Sequence, residues 1–107
     1  MANDAFRALA HPLRRGVVER LALGPATVAE ATRDFGVAKP TVTRHLRVLE
    51  EAGLVEREVE GRTHRLRLAP TALNEASDWL ETQRARWESL FDVVEQYLEE
   101  QPEEAER

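Results

Sequence analysis

Cysteine is absent from the 107 residues. That excludes disulfides, thiolate metal sites and a cysteine nucleophile, and leaves only His11, His45 and His64 as soft ligands. No apolar run approaches the roughly 18 residues that a membrane span requires. The opening MANDAFRALA lacks the basic start and apolar stretch of a signal peptide, so a cytoplasmic location without membrane partners is expected. There is no phosphate-binding glycine loop, no H-E-x-x-H, and no serine in a nucleophile-elbow setting, since Ser77 and Ser89 both fall in the last helical segment. The carboxylates are spread over helix faces and the C-terminal tail, where solvation is their ordinary role. Neither enzymatic activity nor a cofactor is expected.

What is there is a composition of 42% hydrophobic and 33% charged residues, which suits a single small domain with one core. The formal charge of −5 would by itself argue against a polyanionic partner. It conceals a division: residues 1–70 carry twelve Lys and Arg against nine Asp and Glu, whereas residues 71–107 carry three against eleven. The two parts are expected to face different partners.

Ala5, Phe6, Leu9 and Ala10 have helical spacing and predict a short helix over 3–10. His11-Pro12 interrupts it, and Pro12 suits the first turn of a second helix in which Leu13, Val17 and Leu21 recur every four residues. Gly24-Pro25 ends that helix. Thr27-Val28-Ala29-Glu30 is a T-x-x-E capping box and predicts a third helix to about Asp34. Phe35-Gly36-Val37 supplies a tight turn, and Val42, Leu46 and Leu49 then share one face of a fourth helix. After Gly53 the period changes to two, with Val55 and Val59 on one strand and Leu66 and Leu68 on another, joined at Glu60-Gly61-Arg62. Pro70-Thr71 opens a last helix to about Glu99, beyond which residues 101–107 form a fraying acidic tail.

That last helix repeats every 3.5 residues through Leu73, Ala76, Leu80, Gln83, Trp87, Leu90, Val94 and Tyr97. Trp79, Phe91 and Leu98 broaden the stripe. Packing on its own domain is the ordinary fate of such a stripe, but a chain of this size has little other core for these aromatics to enter, so dimerisation is favoured.

The helix-turn-helix over 27–51 carries the main functional signal. At about 100° per residue, a buried face centred on Val42, Leu46 and Leu49 projects Pro40, Arg44, Arg47 and Glu51 outward, with Thr41 and Thr43 beside them. Lys39, Thr41, Thr43 and Arg44 occupy the end that a recognition helix points into the major groove of double-stranded DNA. Arg44 has the fork that matches guanine O6 and N7, the threonines reach phosphate or a thymine methyl, and Lys39 and Arg47 neutralise phosphates. The bland alternative is a solvated helix face. The hairpin that follows clusters Arg57, Arg62, Arg65 and Arg67, a basic wing beside the recognition helix. Arg62 near its tip is placed for a minor groove or its phosphates, and Arg65 alternates away from Leu66 and Leu68. Cross-strand pairing with Glu56, Glu58 and Glu60 would leave instead a solvated hairpin with little field. Among the histidines, His45 is expected half-buried, His11 local to the helix entry, and His64 on the strand face of Leu66.

With these residues in place the sequence resembles the ArsR/SmtB type of winged helix-turn-helix transcriptional repressor. ALAHPLRRGVVERLA is similar to the opening helices of that family, KPTVTRHLRVLEEAGLV to its recognition helix and lead into the wing, and EGRTHRLRL to its wing. The resemblance implies a mainly α fold with a small β-hairpin, over 1–100. Residues 1–10 and 71–99 would be dimerisation helices, 27–51 the helix-turn-helix and 54–69 the wing. It further implies a homodimer, with Phe6 and Leu9 of the first helix joining Leu80, Trp87, Leu90, Phe91, Val94 and Tyr97 of the last, that represses a dyad-symmetric operator. In many members a ligand relieves repression, so a small-molecule inducer is a further partner to consider, with a pocket beside Trp79 or Trp87. Two departures stand out. Ala38 replaces the serine that caps the recognition helix in many relatives, and the cysteine-containing metal-sensing motif and the histidines of a last-helix zinc site are missing, so no metal is expected. The competing reading is a winged-helix module that binds another polypeptide. Against it, the exposed row from Pro40 to Arg47 is polar and cationic, without aromatic or Met anchors.

Overall fold

The computed structural model describes residues 2–100. The elements run α1 (Ala2–Ala8), α2 (Pro12–Leu21), β1 (Ala26–Thr27), α3 (Val28–Ala31), α4 (Lys39–Glu51), β2 (Val55–Glu60), β3 (Thr63–Leu68) and α5 (Pro70–Glu100). The chain divides into two compact units, one up to Ala76 and one from Ser77 onward. The tail at 101–107 lies outside the described residues.

Local chemistry accounts for the boundaries in the first unit. His11 caps α2, its Nδ1 accepting from the Leu13 N–H at 3.1 Å, and Pro12 opens the helix where an N–H would have no intrahelical partner. Thr27 Oγ1 accepts from the Glu30 N–H at 3.2 Å, the first half of the capping box. The Glu30 carboxylate stands 3.7 Å from Arg20. α3 is a single turn, shorter than its sequence pattern predicts. Thr32 leaves helical geometry at φ −121°, ψ 14°, and its hydroxyl donates to the Val28 carbonyl at 2.7 Å. Gly36, at φ +61°, then turns the chain into α4 in a conformation that side chains with a Cβ disfavour. No side chain caps α4, whose N-cap is Ala38; Pro40 in its first turn helps fix the start.

β2 and β3 pair antiparallel from Val55↔Leu68 to Glu60↔Thr63. Gly61 takes the first of the two loop positions with φ +61°, as such short hairpins require. The sequence pattern predicts only this hairpin; the sheet has a third strand, β1, which pairs with β3 through Ala26↔Leu66 and Thr27↔Arg65, in the order β1-β3-β2. Val17 and Leu21 of α2, Leu46 and Leu49 of α4, and Leu54, Val55 and Leu66 around the hairpin form the core, closed by Ala72 and Ala76 of α5. Each fully buried Leu or Val contributes roughly 1.5–3 kcal/mol, so this packing holds α4 and the hairpin as a frame for whatever they expose. Among the described residues no helix is long and apolar enough to cross a membrane.

The apolar stripe of α5 divides at the same place as the units. Leu73 and Ala76, which open the 3.5-residue repeat, pack into the core of the first unit rather than joining an outward seam. From Leu80 on the stripe faces outward: Leu80, Trp87, Leu90, Phe91, Val94 and Tyr97 are each between 47% and 60% exposed. Trp87 and Phe91 lie against each other at 5.7 Å between ring centroids.

Candidate nucleic-acid interface

α4 presents its polar face outward as the helical spacing predicts. Lys39, Pro40, Thr43, Arg44, Arg47 and Glu51 are exposed, Thr41 is half-buried, and Leu46 and Leu49 are inside. Among the described residues no carboxylate lies within salt-bridge distance of Lys39, Arg44 or Arg47. Their charges are uncompensated at short range.

The strand register sorts the four wing arginines. Arg57 shares a face with Val55 and Val59, turned toward α4, where it donates to the Glu50 carboxylate at 2.6 Å and to His64 Nδ1 at 3.0 Å. Arg67 lies on the other face and donates to Glu56 across the pair at 2.9 Å. Cross-strand neutralisation, the bland reading of this hairpin, thus applies to Arg67. Arg62, the second residue of the turn, and Arg65, opposite Glu58 in register, are exposed and have no salt bridge among the described residues. Alternation along the sequence did not separate Arg57 from the others, because its partner Glu50 belongs to a different element.

The histidines are engaged locally. His45 is half-buried, its ring 4.3 Å from that of His11. Arg14 donates from Nε to the Ala8 carbonyl at 2.6 Å and from Nη1 to His45 Nδ1 at 3.0 Å, tying the end of α1 to α4. Nothing in the sequence singled out Arg14 for this role. An arginine cannot accept a hydrogen bond, so His45 Nδ1 must be unprotonated for the bond to form. Burial, reinforced by His11, Arg14 and Arg44, holds the His45 pKa below its ordinary value of 6.5. The unfolded chain then takes up this proton before the folded one, so the stability tied to neutral His45 is complete above pH 6.5 and is lost as pH falls through the lower folded value. Thermal melts should show the wild-type advantage over His45→Gln constant above pH 6.5 and shrinking as pH falls below it; a difference that does not change with pH would contradict this. Among the described residues no three His, Asp or Glu side chains gather as a metal site.

The residues expected at a dimer seam fall in both units. Phe6 and Leu9 are half-buried against the core of the first, while Leu80, Trp87, Leu90, Phe91, Val94 and Tyr97 line the exposed stripe of α5. Several concavities adjoin α4 and the wing. One of about 460 Å³ is lined by Thr27, Val28, Arg57, Arg62, Thr63 and His64.

Known proteins share this arrangement. Residues 9–58 match a family described as a helix-turn-helix domain. The HTH-type transcriptional regulator Rv2034 of Mycobacterium tuberculosis is 46% identical over 71 residues, 66% of this chain and 66% of that protein, so the match spans just under two thirds of its length. The crystal structure of the ArsR family transcriptional regulator RHA00566 is 36% identical, covers 80% of this chain and 94% of its own, and superposes with a TM-score of 0.76. The solution structure of the homodimeric winged helix-turn-helix DNA-binding domain of Mb0332 from Mycobacterium bovis, a possible ArsR-family regulator, is 27% identical, with a TM-score of 0.60 over 82% of this chain and 80% of that one. With its helix-turn-helix, its wing and its 36% identity to RHA00566 over most of both chains, this chain belongs to the ArsR family of transcriptional regulators.

Proposed function

We propose that the protein is a cytoplasmic homodimeric repressor that occupies a dyad-symmetric operator, acting by steric exclusion rather than by catalysis. The observation that carries this reading is the set of uncompensated cations on α4 and the wing, Lys39, Arg44, Arg47, Arg62 and Arg65, in a chain whose net charge is −5. α4 is the recognition helix. Arg44 reads a base edge, Thr41 and Thr43 meet phosphate or a thymine methyl, Pro40 starts the helix at the groove, and Lys39 and Arg47 meet the backbone. Arg62 and Arg65 extend the interface from the wing.

Dimerisation is supported by the exposed apolar stripe of α5 and by the homodimeric state of Mb0332. In this reading 1–10 and 71–99 are the dimerisation helices of one winged domain spanning 1–100, 27–51 is the helix-turn-helix, and 54–69 is the wing. Two recognition helices then enter successive major grooves about 34–36 Å apart. The negative charge of residues 71–107 discourages nonspecific adhesion to the polyanion.

The role of the wing is tested by Arg62→Ala. For each phosphate that the substitution leaves without its cation, the slope of log affinity against log salt should flatten by about 0.9, with a similar drop in affinity on every DNA sequence. Fluorescence-anisotropy titrations over a salt series read this directly, and an unaltered slope would remove Arg62 from the interface.

A further inference from the structure

β2 is an edge strand, paired with β3 on one side only. Its apolar attachment ends early. Val55 is buried, but Glu56, Glu58, Val59 and Glu60 are exposed, as are Gly61, Arg62 and Thr63 around the turn. On the opposite edge β3 is held by β1 only as far as Arg65. The outer hairpin therefore extends past the core without an apolar anchor of its own. At that point Arg57 reaches from β2 to the Glu50 carboxylate at the end of α4, and its second nitrogen donates to His64 Nδ1 on β3 at 3.0 Å. Arg57 and Glu50 are both about two-thirds or more shielded, with side chains 26% and 31% exposed, so their 2.6 Å pair is screened less than a surface pair.

We propose that Glu50, Arg57 and His64 form a strut that fixes the wing relative to the recognition helix, and that Arg57 is a positioning residue for the DNA contact of Arg62 rather than a DNA ligand. This rests on the reading of the wing as a DNA-binding element. A forked guanidinium suits the task because it holds a carboxylate and an imidazole nitrogen in one plane, joining three elements through one rigid group. Without the strut the tip still carries Arg62, but in an ensemble of positions, and ordering it on DNA costs conformational entropy that offsets the attraction to phosphate.

A double-mutant cycle on duplex DNA distinguishes a positioner from a ligand. The affinity penalty of Arg62→Ala is measured in the wild type and again in Arg57→Met. A strut predicts a penalty of about fivefold in the wild type that falls below about twofold in the Arg57→Met background, because Arg62 is no longer held against the phosphate there. Glu50→Ala removes the strut from the other end and should produce the same coupling, and it decides the matter alone if Arg57→Met fails to fold. Equal penalties in all backgrounds would overturn the strut while leaving the wing's role in binding intact. No penalty for Arg62→Ala in the wild type would overturn that role, and the strut with it.

Discussion

Leu90→Glu is expected to convert the protein to a monomer at micromolar concentration and to lower its operator affinity by about 10²–10⁴-fold, the gain that joining two half-site binders provides. Leu90 lies near the middle of the outward stripe of α5, between Trp87 and Val94 in the 3.5-residue repeat, and is 54% exposed in the single chain. Exposed apolar surface of this extent is costly in water, and pairing with a second copy would remove it. Placing a carboxylate there sets two charges in a desolvated seam with no cation to meet them, an arrangement that costs several kcal/mol. The fold should survive, since the core cluster takes its last member at Ala76. Light scattering would show the monomer, and far-UV circular dichroism should keep its helical signal. A dimer persisting in the variant would mean that the interface lies elsewhere.

Arg44→Ala is expected to weaken operator binding by about 1–3 kcal/mol per half-site, and to relax sequence preference at one base pair in each. The change in preference matters more than the change in affinity. A phosphate contact strengthens binding to all sequences alike, whereas a bidentate contact to guanine O6 and N7 discriminates among base pairs. Arg44 is exposed on the outer face of α4 with no salt bridge among the described residues, so the substitution frees no buried partner. Binding measured on single-base variants of the operator would identify the position. Uniform weakening across all of them would reassign Arg44 to the backbone.

The structural basis for these predictions was legible where the controlling signal is local. Pro12 at a helix start, Thr27 three residues before Glu30, glycines at the two tight turns, and the four-residue recurrence of Val42, Leu46 and Leu49 each act within a few residues of themselves. β1 gave no such signal. It is two residues long and exists because β3, far along the chain, offers its edge. The capping box located the start of α3 but not its end at Ala31, where Thr32 leaves helical geometry with its hydroxyl bonded back to the Val28 carbonyl.

The candidate interface divides along the same line. Helical geometry selected the outward face of α4 correctly, because it depends only on which residues the core claims. The wing arginines looked equivalent in sequence and are not. Strand register sets Arg67 against Glu56, and the packing of β2 on α4 sets Arg57 against Glu50, so the hairpin's outward charge rests on Arg62 and Arg65. Similarly, the heptad pattern of α5 runs without a break through Ala76, although Leu73 and Ala76 serve the core and Leu80 onward does not. A period reports which face is apolar, but not what covers it.

The reading of two symmetric half-sites by a dimer is resolved by selecting bound duplexes from a random-sequence pool. Such a dimer should enrich an inverted repeat with half-site centres about 10 base pairs apart, one helical turn, retained at physiological salt. Recovery of no preferred sequence, or of a single half-site without its inverted copy, would contradict it.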